Sequence, residues 1–135
     1  MLSGHSERVT LCDALDQVSF LSAVRRASLI ITDSGGVQEE APCFGVPVLV
    51  ARKSTERMEA IESGQARLVG HDAGAIATAA TWILQDANIW KAMARAYSPF
   101  GDGKASDRIV DASGNFLAGK SPYLAADRQF VPVRV

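Results

Sequence analysis

Ser34, Gly35, Gly36 and Glu40 are the residues whose order best suits chemistry. An apolar run, Ser28-Leu29-Ile30-Ile31, ends in Thr32-Asp33-Ser34-Gly35-Gly36 and passes at once into a helical pattern. The first turn of a helix carries four backbone N–H groups without intrahelical partners, together with the positive end of the helix dipole. Two glycines at that point let an anion approach those amides without meeting a Cβ. One turn further on stands Glu40, whose carboxylate has acceptors for two neighbouring hydroxyls. A diphosphate attached to a vicinal diol, as in a nucleotide-sugar diphosphate, matches both features. The spacing is neither the G-x-G-x-x-G of a dinucleotide fold nor a P-loop, since no Gly-Lys-Ser/Thr follows. A bare Gly-Gly before a helix serves equally well as a structural turn.

The elements that must position this turn follow from the apolar pattern. Val9-Thr10-Leu11-Cys12 reads as a short strand, and Asp13 or Asp16 as the cap of a helix with Val18, Phe20, Leu21 and Val24 on its apolar side. Leu29 to Ile31 reads as a strand buried on both faces, and a short helix runs from Gly36 or Val37 to Phe44, stopped by Gly45. Pro47 to Ala51 is a further strand, Glu56 to Ser63 a helix ended by Gly64, and Arg67-Leu68-Val69 the last strand. Asp72 caps one long helix whose apolar spacing continues to Trp90. Ser98 to Gly103 is a turn cluster, Ala105 to Leu117 a helix, and the rest an irregular, loosely attached tail. Alternating strands and helices predict an α/β fold with a Rossmann-like, doubly wound parallel sheet, whose ligands bind beyond the carboxyl ends of the strands.

Composition bounds the rest. The 135 residues are one domain's worth, divided here into a unit over 1–118 and the tail over 119–135. Net charge is −1, with 47% apolar and 21% charged residues, so there is no basic field for nucleic acid. Cys12 and Cys43 lack metal-ligand spacing and read as small buried thiols in a reducing compartment. The segment Met1 to Arg8 lacks the order of a secretory signal, and no stretch approaches the ~20 apolar residues of a membrane span. The expectation is a cytoplasmic protein with no membrane partner, no metal and no cofactor.

Around the turn the pattern is long: Thr32-Asp33-Ser34-Gly35-Gly36-Val37-Gln38-Glu39-Glu40-Ala41-Pro42, then Gly45-Val46-Pro47-Val48-Leu49-Val50, then Thr55-Glu56-Arg57. It continues through Glu59-Ala60, Gly64 and Leu68-Val69-Gly70, and returns at Ser98-Pro99-Phe100-Gly101-Asp102-Gly103-Lys104-Ala105-Ser106 with Arg108-Ile109. Over roughly residues 4 to 112 the chain resembles the non-hydrolysing UDP-N-acetylglucosamine 2-epimerases. The doubled glutamate and Thr55-Glu56-Arg57 argue against other B-type sugar-nucleotide enzymes, such as glycosyltransferases or hydrolysing epimerases.

The resemblance implies two Rossmann-like halves facing a cleft, a two-domain B-type glycosyltransferase-like fold of which this chain is a partial carboxy-terminal domain. It implies a family reaction in which UDP-N-acetylglucosamine and UDP-N-acetylmannosamine interconvert by elimination and re-addition of UDP, as an isomerase of polysaccharide biosynthesis. The family's acid–base carboxylates and active-site histidine have no counterpart among these residues, so no catalytic residue is expected in this chain. His5 and His71 read as surface or structural. Substrate-binding positions carried over are Ser34, Gly35 and Gly36 for the diphosphate, Glu40 for the ribose, Arg57 for charge near the phosphates, and Phe20 beside the uracil. Glu39 lies roughly 100° around the helix from Glu40, so only one of them can face a ribose. Met58 stands where the family usually has proline, and Leu15 where it often has a polar residue near the base. The implied partners are a UDP-sugar substrate, an amino-terminal domain or a chain supplying it, and another copy of this chain, because Ile109, Val110 and Phe116 lack the cover that domain gives. Besides an epimerase part that is inactive alone, a non-catalytic nucleotide-sugar binding module and an inert truncated product share the same pocket half.

Overall fold

The computed structural model describes residues 8–131. His5, most of the Met1–Arg8 segment and Pro132 lie outside them. Three parallel strands, β1 (Ile30–Thr32), β2 (Val48–Val50) and β3 (Ala66–Leu68), form one sheet in the order β1-β2-β3, with Ile30 opposite Val48 and Val48 opposite Ala66. The crossovers are α2 (Gly35–Cys43) and α3 (Met58–Glu62), and α1 (Gln17–Arg26) precedes β1. Strand β2 is central and fully buried. Alternation along it sends Val48 and Val50 toward Val24 of α1, Ala41 of α2 and Ala60 of α3, and Leu49 to the opposite face with Ala79, Ile83 and Met93. Helices therefore cover both faces of β2; β1, expected to be buried on both faces, is the edge strand of the described sheet, and its Ile31 is 50% exposed.

The architecture is α/β, but the strand order advances in one direction among the described residues and shows no reversal. The expected first strand, Val9 to Cys12, belongs to no ladder, and Leu11 is 78% exposed. A strand needs a neighbour for its N–H and C=O groups, and no described strand runs beside this segment.

The helix expected from Asp72 to Trp90 is two helices, α4 (Ala73–Gln85) and α5 (Ala87–Met93). Asp86 leaves helical geometry at φ −111° and ψ 106°, and its carboxylate accepts from the N–H groups of Asn88 and Ile89. A short acceptor side chain competes in this way with the helical backbone and restarts it. The break turns α5 back so that Trp90 donates its indole N–H to the carbonyl of Ser28 at 2.7 Å, beside the start of β1.

Both cysteines are exposed rather than buried. Helix α2 buries Gln38, Ala41 and Pro42, and Cys43 is turned off that stripe. Gly45, at φ +69°, closes the helix in the left-handed conformation that a side chain resists.

Helix α6 (Ala105–Leu117) has the expected bounds and no buried residue. Where a loose tail was expected, the chain after Gly119 folds back along α6. Arg128 pairs with Asp111 at 2.5 Å, Asn115 donates to the Tyr123 carbonyl at 2.9 Å, and the rings of Phe116 and Tyr123 meet edge to face. Arg108 grips Asp102 with both terminal nitrogens at 2.6 and 2.7 Å. That fork holds the Asp102 carboxyl far below the usual carboxylate range and raises the arginine in turn.

Two outcomes are expected. Leu49→Ala, which empties the buried centre of the sheet, lowers unfolding stability by about 3 kcal/mol in urea titration. The Asp102 contribution is present above its unfolded value near 3.8 and is lost as pH falls through the lower folded value. The melting-temperature gap between the parent and Asp102→Asn therefore holds at pH 7 and narrows as pH drops below 3.8.

Candidate functional site

Strand β1 delivers the chain to Ser34, and α2 begins at the carboxyl end of the sheet. Ser34 has extended geometry at the cap, and its N–H donates to Thr32 Oγ1 at 3.0 Å. Its hydroxyl makes no cap bond. The N–H groups of Gly35, Gly36 and Val37 have no acceptor among the described residues, while that of Gln38 already bonds the Ser34 carbonyl at 3.3 Å. Beside Gly36 the space is open, since a Cβ there would meet only Ser34 Oγ at 4.0 Å. Beside Gly35 it is not. A Cβ there would stand 3.3 Å from Glu56 Oε1 and 3.7 Å from an Arg57 guanidinium nitrogen.

Those two side chains reach the turn because Gln38 anchors the loop that carries them. Gln38 is fully buried, its Nε2 donates to the Ser34 carbonyl at 3.2 Å, and its Oε1 accepts from the Thr55 hydroxyl at 2.6 Å. Thr55 Oγ1 accepts in turn from the Arg57 N–H at 3.1 Å. Arg57 caps α3 at ψ 57°, a value that a proline at position 58 would disfavour and Met58 permits.

Arg57 is shared among carboxylates. Its Nε donates to Glu39 Oε1, and its Nη1 lies 3.6 Å from Glu56 Oε1. Arg52 holds the other Glu56 oxygen at 3.2 Å. The Glu56 carboxyl lies below its ordinary value, chiefly through its own backbone N–H; burial opposes this, and the charges of Arg52 and then Arg57 add to the lowering.

Glu40 is half-buried on a different side of α2, where Gln17 Nε2 at the start of α1 lies 3.5 Å from its Oε1. The adjacent glutamates thus serve two separate places. Phe20 packs on the core and lines a cleft of about 270 Å³ with Ala23, Ile31, Thr32 and Val37. Through Val37 this cleft adjoins the first turn of α2. Leu15 is half-exposed ahead of α1, and His71 is exposed just before α4.

Of the residues expected from sequence, Ser34, Gly35, Gly36 and Arg57 converge on one point, with Glu40 and Phe20 on the α1 side of the same helix. Gln38, Glu39, Thr55 and Glu56 had no expected role. A signal for Gln38 was available: it stands three and four residues before Ala41 and Pro42, on the buried stripe of α2. Chemically, the arrangement offers unpaired amides and a guanidinium to an anion, and a carboxylate to hydroxyls. Among the described residues no three His, Cys, Asp or Glu side chains gather to hold a metal ion, and no helix is long and apolar enough to cross a membrane.

Residues 1–113 match the family model described as UDP-N-acetylglucosamine 2-epimerase. The chain is 48% identical over 112 residues to the UDP-N-acetylglucosamine 2-epimerase of Escherichia coli K12, covering 83% of this chain and 30% of that protein. It is similar to the Staphylococcus aureus MnaA–UDP co-structure, with a TM-score of 0.77 and 40% identity over 85% of this chain and 32% of that one. It is also similar to the UDP-GlcNAc 2-epimerase from Neisseria meningitidis bound to UDP-GlcNAc, with a TM-score of 0.76 and 35% identity over 83% of this chain and 30% of that one. The chain therefore spans about a third of the length of the relatives it matches.

Gln38→Ala should strip Thr55 of its acceptor and leave the Ser34 carbonyl without its second donor. The expected cost is about 2 kcal/mol in urea unfolding, accompanied by shifts of the Thr55 and Arg57 amide resonances.

Proposed function

This chain belongs to the UDP-N-acetylglucosamine 2-epimerase family, and from that premise we propose that it is the nucleotide-holding, carboxy-terminal part of such an enzyme, built over residues 1–118 with residues 119–135 as an appendage. The observation that carries the reading is the start of α2: three amides without acceptors, open space beside Gly36, Arg57 at the same point and Glu40 one turn along. In this reading Ser34, Gly35 and Gly36 bind the diphosphate of UDP. Glu40 exchanges its long contact with Gln17 for the ribose hydroxyls, and the uracil lies toward Phe20 and its cleft.

The chemistry assigned to the family member is departure of UDP from carbon 1 of the sugar with loss of the proton at carbon 2, followed by return of UDP to carbon 1 and of a proton to the opposite face of carbon 2. As the carbon–oxygen bond breaks, negative charge grows on the diphosphate. Fixed N–H dipoles and a guanidinium at that point lower the energy of the charged state without having to reorganise. A base beside carbon 2 is also needed. None of the side chains gathered here is assigned to that proton, so the chain binds without turning over until another protein surface supplies it. Ile109, Val110 and Phe116 support such a partner, or a second copy, because they are 64%, 70% and 62% exposed along α6.

Calorimetric titration of the purified chain with UDP should show weak binding, and Glu40→Ala should weaken it about tenfold, the worth of one charge-assisted hydrogen bond. The same preparation should leave UDP-N-acetylglucosamine unconverted by NMR. Turnover by the chain alone would refute the division of labour, and no heat with UDP at millimolar concentration would refute the pocket.

A further inference from the structure

We propose that Glu56 is a built-in stand-in for the diphosphate: in the free chain its carboxylate lies beside the first residue of α2 and engages the arginines there, and the incoming nucleotide displaces it. This inference rests on the nucleotide-holding reading above and adds a residue that sets how tightly that site takes a phosphate.

Three features of the geometry point to it. Glu56 Oε1 stands 3.3 Å from where a Cβ of Gly35 would be, so a carboxylate oxygen lies against the one face of the turn that is not open. Glu56 also bridges two guanidinium groups, Arg52 at 3.2 Å and Arg57 at 3.6 Å, leaving each less able to meet another anion. Finally, what holds it is the two arginines and its own backbone N–H, not α2. No N–H of α2 donates to the Glu56 carboxylate, and its side chain is 55% exposed. A surface ion pair of this kind is weak and yields to a better partner. A diphosphate is one, with more charge and more acceptor oxygens for the same amides and arginines.

Displacement has a definite geometric meaning. Glu56 swings to solvent, Arg52 and the terminal nitrogens of Arg57 pass to the phosphates, and Arg57 Nε keeps Glu39. The backbone of Arg57 is held by Thr55 and so need not move. The charged groups around Glu56 are Arg52 and Arg57 from its own loop and, through Arg57, Glu39 from α2; Asp33 precedes the turn by sequence.

The test compares the chain with its Glu56→Gln variant, which keeps the shape and loses the charge. Titrations with UDP and with uridine at pH 7 should show UDP bound roughly three- to tenfold more tightly by the variant, with uridine unchanged, since the carboxylate competes only with phosphate. In the free chain, the Gly35 amide resonance should shift as pH falls through the lowered Glu56 value, and the variant should lack that step. Equal or weaker UDP binding by the variant, when the parent binds, overturns this inference alone. An unaltered Gly35 titration overturns it as well. Absence of UDP binding by both proteins at millimolar ligand overturns the nucleotide reading and this inference with it.

Discussion

A buried amide must be hydrogen-bonded on both its atoms, and Gln38 meets that demand by tying two segments far apart in sequence into one place. Its donor takes the carbonyl at the cap of α2 and its acceptor takes the hydroxyl of Thr55. Either bond left unmade inside the protein costs more than the bond itself is worth in water. The loop after β2 is therefore fixed against the start of α2, and Arg57 comes with it. Without that link the turn at Gly35 and Gly36 would be a helix start like any other, with no cation assured beside it.

The sheet supplies the platform for this link. Because β1 and β2 are parallel and in register, their carboxyl ends finish side by side, and the chain must leave both at the same edge. Strand β2, buried on both faces, separates the valines that pack under α1, α2 and α3 from the leucine that packs under α4 and α5. The site therefore sits on the rim of the best-packed part of the molecule. Helix α6 is the opposite case, held by ion pairs and aromatic contact with the segment that follows it, with its apolar side open to solvent.

Electrostatics at the rim is finely divided. Two arginines and two glutamates lie within reach of the α2 start, and a third glutamate faces away from them toward α1. The helix dipole and the unpaired amides favour negative charge at this point. The protein's own carboxylates partly meet that preference. The cations at this rim, Arg52 and Arg57, already have carboxylate partners.

Much of this was legible in the chain itself. Apolar runs located all three described strands and the bounds of α6, type and spacing singled out the Gly-Gly turn with a carboxylate one turn along, and the family resemblance drew attention to Glu40 and Arg57. Local pattern also overreached. Val9 to Cys12 has strand composition but no neighbour to pair with, the spacing from Asp72 to Trp90 ran straight through a capping aspartate, and both cysteines proved to be at the surface. Sequence by itself determined where a helix starts at a Gly-Gly turn and where a carboxylate follows it, because helix starts and turns depend on nearest neighbours along the chain. Only the tertiary structure decided which side chains meet there. The bonds that bring Thr55, Glu56 and Arg57 to the glycines depend on a side chain buried on all sides, and burial is a property of the packed molecule rather than of any segment of it.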